Sequence, residues 1–452
     1  MHATLQRICL GVTLIAVVAL RPGICSAQVA GVDIDTSGVL RIAYSRRESA
    51  SLAEKRMQTF AQDNLPAEVA PFVEMRKISL RQLEHSLKEA GSIEALPQEV
   101  QLLFGLQRLD YIFVDDADGD IVLAGPAEGF APDASGRMIG LTTGRPPLHL
   151  DDLLVALRWA NRSRGRGQIG CSIDPDPQRL QDLQNWLREN STPATRDVAR
   201  SRYDVMARIL GLQNVSVFEI PDDSHFAQVL VEADYRMKLI ALGKENPGVR
   251  GLRSHLSMLA PLGNSLQRWW FVPLYDPIEA DEQGLAFHLS GQRAQLMAQD
   301  EWSDPQGRRS DASFTRATTE KFAEQFTDHF PELAERSPVF AELQNVFDLA
   351  VLAALIERED VRRRTAWPMS TLLDEEQFPV STFRVPKFVE SSATTTSRAR
   401  SILGLVGGVT LTPGQVVGQR SRHEGHGSLT AVRQSAISRT TSAEQPSLFW
   451  DE

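Results

Sequence analysis

Four acidic residues crowd one short stretch of the chain and have the oxygen chemistry of a cation site. They are Asp115, Asp116, Asp118 and Asp120. A hard cation such as Ca²⁺ needs several oxygen ligands close together. The four acids do not follow the ligand order of an EF-hand loop. Gly119 comes before the third acid, and no Glu stands at the twelfth position. Asp and Gly also favour tight turns, so we interpret the stretch as a hairpin turn.

Cys171 has the chemistry of a nucleophile. Covalent catalysis by a thiol requires a His and a carboxylate beside it in space. Cys171 alternates with Ile169 and Ile173, which indicates a strand. Free Cys is among the most buried residue types, and a structural thiol is therefore the preferred interpretation, although the sequence does not determine which face the thiol occupies.

A third set of candidates, Glu232, Asp234 and Arg236, lies in an otherwise apolar segment, residues 224–243. This segment predicts a helix that is apolar on two opposite sides and therefore sandwiched between layers. Glu232 with Arg236, and Asp234 with Lys238, have the i, i+4 spacing and order that stabilise a helix. We expect substitution of Asp234 or Arg236 to lower stability rather than to remove an activity.

Trp269 and Trp270 have the stacking chemistry of a sugar or peptide platform. The segment around them predicts a strand, in which neighbouring side chains point to opposite faces. At most one of the two indoles therefore faces a given ligand, and core packing of the other is the simpler interpretation.

Two further motifs occur in unfavourable contexts. Residues 165–170 match the pattern Gly-x-Gly-x-x-Gly, but they follow a predicted helix and open a strand, the reverse of a dinucleotide site. Residues 35–38, Asp-Thr-Ser-Gly, have one residue too many for an aspartic-protease loop, and we interpret them as a turn. Neither motif predicts a cofactor.

The histidines show no metal-binding pattern. His225, His255, His288 and His329 are scattered, and none pairs with a nearby acid at helical metal-ligand spacing. His423 and His426, in the run His-Glu-Gly-His, fall in a segment with few apolar residues. From the residues alone we therefore assign no catalytic, cofactor-binding or metal-binding residue.

The elements that must position these residues alternate irregularly. Hairpin patterns occur at about residues 31–42 and 111–124, amphipathic helices at about 150–160 and 224–243, and a helical pair from 318 to 356. This order favours an α+β fold over a regular doubly wound sheet. We predict an N-terminal lobe (28–145), a central lobe ending in the helical pair (146–387), a linker with one strand (388–412) and a disordered tail (413–452).

The first 27 residues predict a secretory signal peptide. They contain an apolar run from Ile8 to Leu20 and a small-residue cleavage pattern that ends at Ala27. Cleavage there would leave Cys171 as the remaining cysteine, so the mature chain would have no intramolecular disulfide. The longest later apolar run, Val346–Ile356, is too short to span a membrane. We expect an exported protein, periplasmic or extracellular, without a transmembrane helix.

Composition limits the functional classes. The 452 residues are 42% hydrophobic and 23% charged, which suits a folded protein with a large core. The formal charge is −10, and removal of the predicted signal makes it more negative because that segment contains Arg and no acid. A dominant basic face for nucleic acid is therefore not expected.

Several blocks in order resemble a known family. These blocks are DYIFVDDADGDIVLAGPAEGF, GQIGCSIDP, VLVEADYRMKLIALG and PVFAELQNVFDLAVLAALI. Across about Gly31–Thr412 the chain resembles an exported planctomycete protein family of uncharacterised function. The resemblance implies secretion or a cell-envelope location and a shared α+β fold, and it implies no activity, cofactor or catalytic residue.

The sequence therefore favours a non-catalytic binding or scaffolding component of the cell envelope, whose partner is an envelope protein or a polysaccharide. The alternative is an exported hydrolase whose site is assembled from dispersed residues. In that alternative the acidic turn, Cys171 and the charged set of residues 232–236 are the places to search.

Overall fold

A computed structural model describes residues 28–451, apart from residues 36, 46–48, 191, 193–195, 259–264, 304–308, 312, 314, 392–402, 420, 423–426 and 439–446. The predicted signal peptide therefore lies outside the described residues. Helices make up 43% and strands 22% of the structure, which confirms the α+β class.

The strands, in chain order, have the following bounds: β1 Gln28–Ile34, β2 Val39–Ser45, β3 Val73–Ser79, β4 Tyr111–Asp115, β5 Asp120–Ala127, β6 Phe130–Pro132, β7 Met138–Gly140, β8 Ile169–Pro175, β9 Leu212–Phe218, β10 Ser265–Leu274, β11 Glu279–Ala280, β12 Ala286–His288, β13 Arg293–Ser303, β14 Arg309–Asp311, β15 Phe388–Glu390, β16 Leu403–Leu411, β17 Ser421–Arg422 and β18 Phe449–Asp451.

The helices have the following bounds: α1 Ala50–Asn64, α2 Leu80–Ala90, α3 Gln98–Gln101, α4 Leu150–Ser163, α5 Pro177–Glu189, α6 Arg196–Leu210, α7 His225–Ala241, α8 His255–Met258, α9 Ala317–Asp328, α10 Phe330–Arg336, α11 Pro338–Arg358, α12 Val361–Arg364, α13 Pro413–Gly418 and α14 Gly427–Ser438.

Two large sheets organise the molecule. The first has nine strands in the order β1-β2-β15-β9-β8-β16-β10-β13-β14, and the second has seven in the order β17-β11-β12-β4-β5-β3-β18. The strand predicted within residues 401–411 is confirmed as β16, which lies inside the nine-stranded sheet, antiparallel to β8 and parallel to β10. It is therefore an interior strand of the sheet, although the sequence around it had suggested a linker.

Helices pack against the nine-stranded sheet in layers. α7 contacts β8 and β16 on one side and α4 and α11 on the other. Every described residue of α7 except Gln228 is buried, which confirms that this helix is sandwiched between layers. Such a helix has to be apolar on more than one side, as its sequence is.

α11 is the central core helix. Its residues from Val339 to Ile356 are all buried, Asp348 included. By length and composition alone α11 could cross a membrane, and its 18-residue apolar window is 100% buried inside the protein. The apolar character of α11 is therefore accounted for by its position between α4, α7, α10 and α13.

The hairpin predicted around the acidic turn is confirmed as β4 and β5, which pair from Tyr111 with Ala124 to Asp115 with Asp120. Its side chains alternate between two environments. Ile112 and Val114 join the main core, whereas Phe113 and Val122 face a second apolar cluster under α14. This sheet is thus covered on both faces.

Parts of the range 413–452, predicted as a disordered tail, have a described structure. The described residues there form α13, α14, β17 and β18, and residues 420, 423–426, 439–446 and 452 lie outside the described part. Leu429 and Ala436 of α14 are buried against the seven-stranded sheet. A segment with few apolar residues can still pack when it lies on an existing apolar face.

Candidate metal centre

Three side chains from two helix N-termini converge between the layers. His149 occupies the N-cap position of α4, and Asp152 lies in the first turn of that helix. His225 is the first residue of α7, directly after Ser224, whose hydroxyl caps the helix by accepting from the Ala227 N–H. Because α4 packs on α7, the two helix starts bring the three side chains together.

The three groups are close enough to act as one site. The imidazole rings of His149 and His225 stack almost parallel, with centroids 4.0 Å apart and an interplanar angle of 5°. His225 Nδ1 lies 2.8 Å from Asp152 Oδ2. One potential ligand atom from each of the three residues lies within 4.8 Å of the other two.

One oxygen of Asp152 lacks a hydrogen-bond partner. The residue is 3% exposed. Its Oδ2 is bound to His225, whereas its Oδ1 is buried without a partner among the described residues. A buried carboxylate oxygen without a donor costs free energy, and a bound cation or water would remove that cost.

Burial controls the charge state of the site. It lowers the pKa of His149 to about 3, assisted by His225 and Arg137 and opposed by Asp152. The pKa of His225 is lowered as well, chiefly by burial. Burial also raises the pKa of Asp152 to about 7, against the lowering effects of His149 and the Phe226 N–H. The imidazoles are therefore neutral at pH 7, the form in which histidine binds metals.

A buried ion-pair group surrounds the three side chains. The Arg137 guanidinium pairs with Glu232, Nη2 to Oε2 2.7 Å, and also with Glu342 of α11. Burial lowers the pKa of Arg137, but the two glutamates outweigh that effect and raise it. Arg236 also lies 3.7 Å from Glu232, so Asp152, Glu232 and Glu342 share this region with two guanidinium groups.

The helix N-termini add positive charge beside these carboxyl groups. Each helix N-terminus contributes about half a positive charge. Burial raises the pKa of Glu342, which is the response expected of a carboxyl group that lacks full compensation.

Two imidazoles and one carboxylate are a known kind of transition-metal donor set. An ion bound by both His225 and Asp152 would take the place of the hydrogen bond between His225 Nδ1 and Asp152 Oδ2, which lie 2.8 Å apart. Zinc–nitrogen bonds are about 2.0–2.1 Å long, so the stacked imidazoles would have to rotate out of their parallel arrangement for the three groups to meet at one ion.

The acidic turn does not form a common oxygen cluster. Asp115 Oδ1 accepts from the Ala117 and Asp118 N–H groups. Asp120 accepts from the Ser79 hydroxyl at 2.5 Å, and Asp116 pairs with Arg433 at 3.0 Å. These contacts match the turn interpretation, because the carboxylates organise the backbone and bind separate donors.

Cys171 lies in β8 and is 2% exposed. Burial raises its pKa well above the ordinary value, and the nearby Asp234 raises it further. A thiol in this setting stays protonated and is a poor nucleophile.

The charged set of α7 is buried and paired. Glu232 contacts Arg137 and lies 3.7 Å from Arg236, which also binds Glu245 at 2.5 Å. Lys238 Nζ lies 2.8 Å from Asp234 Oδ2. The two predicted i, i+4 pairs are therefore present in the structure.

The remaining motifs have structural positions. Trp269 is buried and donates to the Thr319 carbonyl, whereas Trp270 is half-buried with the Arg268 guanidinium 4.9 Å from its ring centre. Residues 165–170 join the end of α4 to β8, the order opposite to that of a dinucleotide loop. Ser37 donates to Asp35 in a turn, and residues 423–426 lie outside the described residues.

A recess of about 360 Å³ lies elsewhere, beside Glu357, Arg362 and Trp367. Its charged side chains are paired with one another: Arg362 with Glu357 at 2.7 Å, and Arg363 with Asp360 at 2.5 Å. Because these charges are paired, the recess has little net charge with which to attract an ionic ligand. None of the three candidate metal ligands lines this recess.

The sequence search missed His149 and Asp152. Their i, i+3 spacing places them on the same side of a helix start, which is a usable signal. The third ligand, His225, lies 73 residues after Asp152. A search restricted to helical spacing within one segment does not detect such a site.

Residues 171–255 match a protein family described as "Protein of unknown function (DUF1598)". The match covers α7 and His225 but neither His149 nor Asp152, and it covers part of the range of about Gly31–Thr412 for which the sequence predicts a family resemblance. No curated protein and no solved structure matches the chain. The chain thus contains a region similar to a family whose function is not known.

Proposed function

We propose that the chain is an exported binding protein that holds a divalent transition-metal ion between His149, Asp152 and His225. The observation that carries this proposal is the buried Asp152 Oδ1, which has no hydrogen-bond partner among the described residues, beside two stacked imidazoles. The signal-like N-terminus supports the exported location. A binding or scaffolding role in the cell envelope, with an envelope protein or polysaccharide as partner, is the wider setting that we propose for this site.

The donor set favours zinc over calcium or magnesium. Imidazole suits zinc and related transition metals, whereas calcium and magnesium prefer oxygen ligands. Zinc also has no redox chemistry, which suits a protein in an oxidising compartment. Zn²⁺ is therefore the first probe.

A metal-dependent hydrolase is the second candidate. Structural zinc sites usually have four protein ligands, whereas catalytic sites have three and keep a position for water. The cluster offers three ligand groups among the described residues, which is the number that catalytic sites use. This observation supports the hydrolase that the sequence left as the alternative.

The test is equilibrium dialysis of the chain, without its predicted signal, against Zn²⁺, followed by elemental analysis. We expect one tightly bound ion per chain and its loss in Asp152→Asn, which keeps the size of the side chain. His288→Gln is the matched control, because His288 also pairs with a carboxylate, Glu279 at 3.0 Å, outside the cluster. Co²⁺ should give a visible spectrum without a thiolate band, because Cys171 is not a ligand.

Equal Zn²⁺ binding by the parent chain and Asp152→Asn, with both folded, would refute the metal site. Loss of binding in His288→Gln would place the ion elsewhere. The zinc-loaded protein is then assayed against esters, phosphoesters and peptides. Turnover that disappears in Asp152→Asn would support the hydrolase, and full zinc binding without turnover would favour the binding role.

A further inference from the structure

The last described strand of the chain adds to the edge of the seven-stranded sheet. β18 pairs antiparallel with β3, with Phe449 opposite Ile78 and Asp451 opposite Arg76. The Ser79 N–H extends this pairing by donating to the Leu448 carbonyl at 3.0 Å. Strand addition of this kind is a common way of binding an extended peptide, because main-chain hydrogen bonds supply affinity and side-chain pockets supply specificity.

Arg76 forms a carboxylate receptor at this edge. Its side chain is 0% exposed, and its Nε and Nη2 donate to the two oxygens of Asp451 at 2.7 and 2.9 Å. The guanidinium also donates to three backbone carbonyls, those of Glu68, Val69 and Phe104. The carbonyls hold the guanidinium in place but do not neutralise its charge. A carboxylate from the added strand is therefore required to compensate a buried cation.

Phe104 forms an aromatic receptor beside Arg76. Its ring stacks on that of Phe449 with centroids 4.4 Å apart, and the Arg76 guanidinium lies 5.1 Å from the Phe449 ring centre. Leu103 and Phe104 both have a positive φ, 42° and 51°, which is strained for side chains of this size. Strained backbone persists where the surrounding structure imposes it, often at ligand sites.

The side chains of the added strand alternate in function. Phe449 and Asp451 lie on one face and contact the aromatic and cationic receptors. Trp450 lies on the other face, against the cluster that contains Phe113 and Val122. The contacts thus involve an aromatic residue followed two positions later by a carboxylate, in an extended conformation.

We propose that the β3 edge, with Arg76 and Phe104, is a peptide-binding site for extended segments with this aromatic-x-carboxylate pattern. The segment Ser447–Asp451 occupies the site in cis, and a separate peptide of the same chemistry binds to it in trans. The contacts with the receptor come from four consecutive residues, 448–451, of a segment that is remote in sequence from β3.

The test cuts the covalent link between residues 447–451 and the rest of the otherwise native chain. Residues 439–446 are replaced by a protease recognition sequence of equal length, and the protein is cleaved after folding. A fluorescent peptide with the sequence of residues 447–451 is then added, and its anisotropy is followed. We expect saturable binding of one peptide per chain, and an affinity at least about tenfold lower for peptides with Asp451→Asn or Phe449→Ser, because a charged hydrogen-bonded pair or an aromatic stack is lost.

Native mass spectrometry measures whether the cleaved segment itself remains bound. A retained segment supports the proposal, because no covalent bond holds it any longer. The proposal is overturned if the cleaved protein stays folded by circular dichroism, loses the segment and takes up no labelled peptide. Equal binding of the native and Asp451→Asn peptides would also overturn it. Arg76→Lys is the receptor variant, since Lys retains the charge but cannot bind a carboxylate in bidentate fashion.

A mixing experiment identifies the source of the peptide. Arg76→Lys and Phe449→Ser/Asp451→Asn are made in separate full-length chains, so that one has an impaired receptor and the other an impaired segment. A heterodimer in the mixture, absent from each chain alone, shows that the source is a second copy. Binding of the free peptide without a heterodimer supports the site and assigns its trans ligand to another protein.

Discussion

Lys238 and Asp234 form an ion pair inside the protein, one turn apart on α7, with Nζ 2.8 Å from Oδ2. Their side chains are 5% and 0% exposed. Burial raises the pKa of Asp234, against the lowering effect of Lys238. The pair lies under Gly407 of β16, where an added Cβ would come within 2.8 Å of Asp234 Oδ1. The glycine therefore makes room for a charged pair beneath the sheet.

Replacement of Lys238 by Met should lower the free energy of unfolding by about 3–5 kcal/mol, because it leaves the Asp234 carboxyl buried without its partner. Urea denaturation at pH 7 measures the change. Arg336→Met is the matched control: it breaks an i, i+4 pair with Glu332 in which both side chains are exposed, and should cost less than about 1 kcal/mol. Similar losses in the two variants would contradict the prediction.

Replacement of Gly408 by Ala should destabilise the nine-stranded sheet. A Cβ at this position would lie 2.1 Å from the Cys171 carbonyl oxygen on the neighbouring strand, so β8 and β16 would have to separate. We expect a cost of about 3 kcal/mol, as for severe overpacking. Thr410→Ala, in the same strand, should cost about 1 kcal/mol or less. Thermal melts of both variants make the comparison, and an unchanged melting temperature for Gly408→Ala would refute the close approach.

His255 should make the protein less stable in acid. It packs edge-on against Trp269 and Phe322, and its Nδ1 lies 3.1 Å from the Thr318 carbonyl oxygen. Burial lowers its pKa to about 4 from an ordinary 6.5, with smaller effects of opposite sign from the Arg316–Asp300 pair. The unfolded chain therefore binds a proton that the folded chain does not. The free energy of unfolding that the buried, neutral His255 contributes is fully present above pH 6.5. It is lost progressively as the pH falls toward 4.

The predicted loss is on the order of 3 kcal/mol over this range, of which about 2 kcal/mol should appear by pH 5. Urea denaturation from pH 7 to pH 5 gives the profile. Between pH 7 and pH 5, His255→Phe should lose less free energy of unfolding than the parent protein, because it has no imidazole at this position to protonate. Phe326→Leu removes apolar contacts without a titratable group and should keep the parent profile. If His255→Phe kept it too, the acid sensitivity would arise from other groups.

Local sequence patterns determined many of the elements. The hairpin of β4 and β5, the two-sided apolar pattern of α7 and its i, i+4 pairs all follow from residues within one segment. Side-chain periods of two for a strand and 3.6 for a helix act over a few residues, so the sequence displays them directly. The α+β class follows from the irregular order of these elements.

The tertiary structure decided which distant segments meet. His225 approaches Asp152 because α4 packs on α7, and Arg76 meets Asp451 because β18 adds to β3, across 375 residues of sequence. The position of β16 inside the nine-stranded sheet has the same origin. Strand order and helix packing depend on burying the whole apolar surface at once, and no short window of residues contains that information.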